Sequence, residues 1–424
     1  MHDTIYAVSS GAPPAAIGIV RVSGPQASAC ITALAGMLPP PRRASLRTLR
    51  KTDGQMLDQA LVLWFPGPAT ATGEDLAEFH CHGGRAVLSA VEEALGQIPA
   101  CRLAEPGEFT RRAFANEVID LAQAEGLSDL LAAETELQRQ AALDAASGTL
   151  SGQFETWRAH LLGLAAQVEA VLDFEDEDDV APLGPEFFEA VTQLETEWRA
   201  ALALPRAQRL RKGLRVVLAG PPNAGKSSLF NAILDEGAAI VSAEAGTTRD
   251  VIERPIALGG VPFVLVDTAG MRGDGAGDIE RIGIAKAKRE LERADIILWL
   301  GESSSSPSGA WDIESFADLG SRRKDRPRHI VSSETKAGVA ELITDLIASG
   351  KSLLPKSGAI GLQDRQARDL VQAADCLADI EPLHDQIVIG ETLRRARHAL
   401  DRLTGRVSTE EVLDTLFGRF CIGK

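Results

Sequence analysis

Short apolar runs broken by proline and glycine open the chain. Ile17-Gly18-Ile19-Val20-Arg21-Val22 and Leu61-Val62-Leu63-Trp64-Phe65 read as strands, and residues 1–118 are expected to form an α+β domain. From Leu121 the spacing changes. Trp157, Leu161, Leu164, Val168 and Val171 recur every three or four residues, the period of an amphipathic helix, so residues 119–209 are expected to start an all-α helical domain. Between Leu214 and Gly350 apolar strands alternate with helical stretches: Leu214-Arg215-Val216-Val217-Leu218-Ala219, Pro262-Phe263-Val264-Leu265-Val266 and Asp295-Ile296-Ile297-Leu298-Trp299-Leu300. That pattern predicts a doubly wound α/β domain, bounded here at residues 210–356. Helical periodicity returns over 357–424, with Ser408-Thr409-Glu410-Glu411 reading as a capping box. Helices on both sides of the α/β stretch point to one helical domain interrupted by an inserted unit.

Composition narrows this multidomain α/β picture. At 424 residues, 45% apolar and 25% charged, the chain is expected to be globular, with two or three domains. No run approaches the roughly eighteen uncharged apolar residues that cross a bilayer, and the start, MHDTIYAVSS, places an acid where a secretory signal is basic. A cytoplasmic protein without membrane attachment is expected. Five scattered cysteines without a CxxC pair fit a reducing compartment. A net charge of −16 restricts nucleic-acid contact to local patches or to a partner's surface. The acidic run Asp173-Phe174-Glu175-Asp176-Glu177-Asp178-Asp179 reads as a solvated helix end in preference to a metal site.

The chemistry concentrates at Gly220-Pro221-Pro222-Asn223-Ala224-Gly225-Lys226-Ser227-Ser228, which follows a strand and precedes an amphipathic helix, as a phosphate-binding loop must. Gly220 and Gly225 stand where the chain bends and exposes N–H groups to phosphate oxygens. Lys226 supplies a point charge at the β- and γ-phosphates, and Ser227 a Mg²⁺ ligand. Nucleotide contacts are expected from Asn223, Ala224, Gly225, Lys226, Ser227 and Ser228. Two later stretches, Gly246-Thr247-Thr248-Arg249-Asp250 and Asp267-Thr268-Ala269-Gly270, add a second Mg²⁺ hydroxyl at Thr248, an acid at Asp267 and backbone N–H groups for the γ-phosphate. Loops held by that phosphate and released on hydrolysis form a switch, so the three motifs together indicate a GTPase-type G domain. Met271 stands where Ras-like proteins place a water-orienting glutamine, and a thioether cannot orient water. Glu280 and Arg272 are the candidates for that task. A monovalent cation near Asn223 is the candidate for charge neutralisation.

With the chain ends, these motifs resemble the MnmE/TrmE family of tRNA-modification GTPases over nearly the whole chain. Asp3-Thr4-Ile5, Ile19-Val20-Arg21-Val22-Ser23-Gly24-Pro25, Cys81-His82-Gly83-Gly84 and Pro106-Gly107-Glu108-Phe109-Thr110-Arg111-Arg112-Ala113-Phe114 are similar to its amino-terminal folate-binding domain. Asp120-Leu121 with Gln123-Ala124-Glu125-Gly126 resembles the start of its helical domain, and Arg419-Phe420-Cys421-Ile422-Gly423-Lys424 its closing signature. The resemblance implies a homodimer that joins an FAD-dependent MnmG (GidA) partner in a heterotetramer. Together they would build a carboxymethylaminomethyl or aminomethyl group on carbon 5 of the wobble uridine of tRNA, with 5,10-methylene- or 5-formyl-tetrahydrofolate as one-carbon source. It also implies K⁺-stimulated GTP hydrolysis by G domains that meet across the dimer. In that reading K⁺ lies near Asn223, Ser242, Glu244 and Thr247, Ser242 and Gly246 join the nucleotide contacts, and Glu280 orients the attacking water. Arg21, Glu78 and Lys424 carry over as folate contacts. Cys421 reads either as a nucleophile or acid, or as a packed thiol.

Three departures accompany the resemblance. The guanine-reading NKxD motif is expected between the strand ending at Leu300 and Ser332-Ser333-Glu334-Thr335-Lys336, where the nearest text is Gly320-Ser321-Arg322-Arg323-Lys324-Asp325, with Asp325 as a stand-in. Val118 occupies a position where the family often has a basic folate contact, and the glycine-rich 273–277 segment lengthens the loop before Glu280. A nucleotide-gated assembly factor, or a folate-binding protein with a degenerate G domain, are the alternative functions. His80, Cys81 and His82 read as alternating strand positions in preference to a zinc site. Arg394, Arg395, Arg397, Arg402 and Arg406 form a cationic stripe that is either a solvated face or a tRNA contact.

Overall fold

The computed structural model describes residues 3–173, 182–205, 207–237, 239–240, 252–268, 288–320, 324–354 and 361–423. The chain divides into two compact units, Met1–Ser128 with Gly148–Glu155 and Leu400–Lys424, and Asp129–Ser147 with Thr156–Ala399.

In the first unit β1 (Thr4–Val8), β2 (Ile17–Ser23), β3 (Ser45–Arg50), β4 (Met56–Phe65), β5 (Leu76–His82) and β6 (Cys101–Leu103) form one sheet in the order β3-β4-β5-β2-β1-β6. Side-chain alternation sorts its faces. Val20, Val22, Phe79 and Cys81 are buried in a core with Ile31, Leu88, Val91 and Leu95 of the helices Ala27–Ala35 and Arg85–Gly96. Arg21, Glu78 and His80 therefore stand on the other face, where β2 and β5 pair Arg21 with Glu78 and Ile19 with His80. The last helix of the chain, Glu410–Phe417, packs with Leu121, Ala124 and Phe420 in a second apolar cluster. Its N-cap is Thr409 and its third residue Val412, so the expected capping box at Ser408 does not form. A complete box instead opens the helix Glu136–Ala146 of the second unit, at Thr135 and Gln138.

In the second unit β7 (Leu214–Ala219), β8 (Ala239–Ile240), β9 (Ile252–Leu258), β10 (Val261–Asp267), β11 (Ile296–Trp299), β12 (Trp311–Glu314) and β13 (His329–Ile330) lie in the order β13-β12-β11-β7-β10-β9-β8. Pairing is parallel from β13 to β10 and antiparallel for β9 and β8. Helices Lys226–Gly237 and Val339–Leu353 bury Leu229, Ile233, Leu342 and Leu346 against Val216, Leu218, Leu265 and Leu298. On the opposite face Val217 and Val266 meet Leu291 and Ala294. The sheet is doubly wound, as expected, but has more strands than the three apolar runs suggest. β12 is hidden because it is four residues long and carries two acids, of which Asp312 is answered by Lys324 and Glu314 is buried. Helices from either side of this α/β segment pack together: Arg199 of Pro185–Ala203 bonds Asp375 of Asp364–Ala378 at 2.8 Å. Trp157 and Trp198 pack with their rings tilted by 58° and centroids 6.2 Å apart. The α/β segment is thus an insertion in a helical frame.

A buried ionic cluster ties the first unit together. Arg112 is 1% exposed; it donates to the Asp3 carbonyl at 2.9 Å, the Asp3 carboxylate at 2.9 Å, Glu74 at 3.1 Å and Glu108 at 3.0 Å. Arg102 adds bonds to Asp3 and Glu108 at 2.7 and 2.6 Å. Burial alone would raise the Glu108 carboxyl, but hydrogen bonds from Arg102, the Glu105 N–H and Arg112 outweigh it and hold the group below its ordinary value. Arg112→Ala leaves Glu74 without its cation and Glu108 with Arg102 alone, and the unit is expected to lose about 3 kcal/mol in a denaturant titration. The acid branch follows from the same bonds. The carboxyl titrates lower folded than unfolded, so its contribution is complete above about pH 4.5 and is lost as pH falls through the lower folded-state value. Unfolding curves that are flat over this range would contradict the cluster's role.

Candidate nucleotide site and the amino-terminal cluster

The loop between β7 and the helix Lys226–Gly237 takes its shape from three residues at positive φ: Gly220 at 147°, Asn223 at 60° and Gly225 at 88°. Asparagine is the side-chain-bearing residue that enters this region most readily, which accounts for its presence between the two glycines. At Gly220 a Cβ would lie 3.0 Å from the Gly301 nitrogen, and at Gly225 it would lie 3.2 Å from the Phe316 ring. The loop therefore runs pressed against the residues that follow β11 and β12. Lys226, 6% exposed, lays its ammonium back along the loop, donating to the carbonyls of Pro221 at 2.8 Å and Gly220 at 3.2 Å. Ser227 donates to Asp267 at the end of β10 at 2.6 Å, and Thr268 donates to the Leu218 carbonyl at 2.8 Å. A hydroxyl and a buried carboxylate sharing one bond at the mouth of a phosphate loop are hard oxygen donors of the kind that hold Mg²⁺ beside phosphates. Asn223 and Ala224 lie in the loop itself, and Ser228 in the first turn of the helix Lys226–Gly237. Ser242, Glu244, Gly246, Thr247, Thr248, Ala269, Gly270, Arg272, Glu280 and Lys424 lie outside the described residues.

β12 ends at Glu314 and leads directly into Ser315-Phe316-Ala317-Asp318, ahead of the segment that contains Asp325. The Ser315 hydroxyl donates to the Ala224 carbonyl of the phosphate loop at 2.9 Å. Ser332, fully buried after β13, donates its hydroxyl to Asp318 at 2.6 Å and accepts from the Thr335 N–H at 3.1 Å. Asp318 is itself solvent-exposed, so one carboxylate oxygen is fixed by Ser332 while the group faces outward. The signal was present as an aspartate at the fourth position after a short strand. It was obscured because serine and phenylalanine replace the usual asparagine and lysine.

The first unit holds a separate cluster. Arg21 donates to Glu78 through Nε at 3.2 Å and Nη2 at 2.9 Å, and the other Glu78 oxygen meets His80 Nε2 at 3.0 Å. Burial pushes the Glu78 carboxyl up, yet His80 and Arg21 together bring it below its usual range. The Arg21 guanidinium lies 5.9 Å from the centre of the Phe109 ring, a contact that the sequence did not reveal. Pro106, just before that helix, forms a backbone bridge with Ile422, which brings the segment containing Cys421 to the same region of this unit. Cys421 is exposed there. Of the neighbouring residues, Cys81 faces the core, where burial pushes its thiol up to about 12, and His82 is oriented by Asp58 at 2.7 Å. Val118 is 40% exposed. In the cationic stripe Arg394 is paired with Glu391, and Arg406, in this unit, with Glu155.

Removing the loop ammonium tests the first site. Lys226→Ala is expected to weaken nucleoside triphosphate binding by about 100-fold or more in a calorimetric titration, with an unchanged unfolding midpoint, because the charge nearest the β- and γ-phosphates is gone. Retained affinity would place the phosphates elsewhere.

Comparison with known proteins agrees with this geometry. Residues 4–118 match the family model described as the GTP-binding protein TrmE N-terminus, and residues 121–421 match the MnmE helical domain. A protein of Erythrobacter litoralis named tRNA modification GTPase MnmE is 55% identical over 423 residues, covering 100% of both chains. Proteins of the same name from Novosphingobium aromaticivorans and Rhizorhabdus wittichii are 54% and 52% identical, each covering 100% of this chain and 100% and 97% of their own. A phosphate loop set in a helical frame, matched end to end by these relatives, places the chain in the MnmE family of tRNA modification GTPases.

Proposed function

We propose that this protein binds GTP with Mg²⁺ in the loop Gly220–Ser228, hydrolyses it, and couples the resulting loop rearrangement to modification of the wobble uridine of tRNA at carbon 5. The observation that carries the reading is a single sheet edge bearing both the Ser227–Asp267 pair and the braced carboxylate of Asp318. Guanine presents two adjacent donors, N1–H and the 2-amino group, to such a carboxylate. Adenine presents no such pair. Asp318 held by Ser332 also counts against a degenerate G domain. Ser227, Asp267 and Thr248 would hold Mg²⁺, which neutralises charge on the phosphates. Asn223, Ser242, Glu244 and Thr247 would hold K⁺ in the charge-neutralising part that an arginine finger plays elsewhere, and Glu280 orients the attacking water.

In the amino-terminal domain Arg21 and Glu78 present a cation and an acceptor on one face, which suits a tetrahydrofolate, a ligand with carboxylates at one end and an aminopyrimidinone at the other. When bound, 5,10-methylene- or 5-formyl-tetrahydrofolate supplies the one-carbon unit. Lys424 adds a contact, and Cys421 stands near as nucleophile or acid. The working form in this proposal is a cytoplasmic homodimer whose G domains meet, joined by an FAD-dependent MnmG-type partner in a heterotetramer that receives tRNA. Family membership supports this assembly.

Two variants separate binding from hydrolysis. Asp318→Ala loses two charge-assisted hydrogen bonds and is expected to reduce GTP affinity roughly 100-fold while leaving ATP affinity unchanged, in a competition titration with K⁺ present. A parent protein with equal affinity for both nucleotides would defeat the guanine assignment. Glu280→Ala is expected to keep GTP affinity but cut single-turnover hydrolysis by about 10²-fold or more. Unchanged turnover would move the water-positioning role to another residue.

A further inference from the structure

Phe316 holds a conformation that aromatic residues avoid. Its φ is 65°, in the left-handed region, where a bulky side chain is a genuine outlier that persists only when its surroundings over-determine it. Those surroundings are visible. Ser315 is bonded to the Ala224 carbonyl, the Ala317 N–H donates to the Val331 carbonyl at 3.2 Å, and Asp318 is bonded to Ser332. The distal edge of the ring rests on the phosphate loop: a Cβ on Gly225 would meet Phe316 Cζ at 3.2 Å and Cε2 at 3.5 Å. Phe316 is half-buried. It thus stands between the phosphate loop, which its ring meets at Gly225, and the exposed Asp318 two residues on.

A nucleotide that spans these two anchors must pass over the ring. We infer that Phe316 is the platform on which the purine stacks, replacing with an aromatic face the lysine that an NKxD motif has at this position. The inference rests on the reading that GTP occupies the loop. It gives the residue a task distinct from that of Asp318. Stacking holds any purine, because every base has a π-face, whereas the carboxylate chooses among them. The strained backbone is what aims the ring across the loop mouth, and without that aim the phenyl group would have no reason to remain half-exposed.

The test uses the full-length protein and three ligands: GTP, ATP and inorganic tripolyphosphate, each with Mg²⁺ and measured by calorimetric competition. Phe316→Leu keeps an apolar side chain against Gly225 but removes the ring. It is expected to weaken GTP and ATP alike by about 10-fold, leave their ratio unchanged, and leave tripolyphosphate affinity unchanged. Phe316→Tyr restores the parent affinities. A parallel loss of tripolyphosphate affinity would show that the ring only braces the phosphate loop, and full nucleotide affinity in the leucine variant would show that it does nothing; either result overturns the inference. Failure of the guanine reading looks different: the parent itself would show no preference for GTP over ATP, with the leucine variant still weakening both.

Discussion

The nucleotide module is governed by the close approach of its glycines to the residues after two strands. A notional Cβ on Gly220 would lie 3.0 Å from the Gly301 nitrogen, and one on Gly225 3.2 Å from the Phe316 ring. Because the loop touches the residues after β11 and β12 directly, the phosphate end of the site and the base end are not independent. Ser315 bonding Ala224 and Ser227 bonding Asp267 make the coupling explicit on both sides. A displacement of the loop by a bound phosphate therefore has two outlets, one through β10 and one through the strand ends that carry Asp318. Interiors this closely packed transmit small shifts instead of absorbing them.

The amino-terminal unit solves its positioning problem with charge. Arg112 and Arg102 bind Asp3 and Glu108 jointly, so the start of β1, the strand β6 and the helix Glu108–Ala115 are fixed to one another by ions instead of apolar packing alone. Buried ion clusters add little net stability over a well-packed apolar equivalent. What this one does is set the height of the helix bearing Phe109, against which Arg21 lies. Ordered charge deep in the unit thereby helps to place the half-buried pair Arg21–Glu78.

Much of this was legible in the chain itself. Alternation along β5 separates Phe79 and Cys81 from Glu78 and His80 without reference to any coordinates, and the loop sequence announces its own strand and helix. Asp318, to which guanine recognition is assigned in the proposal, was not legible, for two physical reasons. β12 is too short and too acidic to show a period, with Asp312 paired to Lys324 twelve residues on and Glu314 buried. The residues before it are serine and phenylalanine in place of asparagine and lysine, so the segment carries no NKxD pattern. Phe109 was missed for a different reason: a ring beside a guanidinium is a tertiary fact with no sequence period.

The bridge between Pro106 and Ile422 has a consequence for the order in which the chain acquires structure. Arg111 of one partner segment and Asp414 of the other are 303 residues apart, and at a ribosomal rate of about 5–20 residues per second that interval lasts roughly 15–60 seconds. The intervening α/β insertion has time to fold while the surface awaiting the later helix stays uncovered. During translation, the α/β insertion is complete before the neighbourhood of the exposed Cys421 exists.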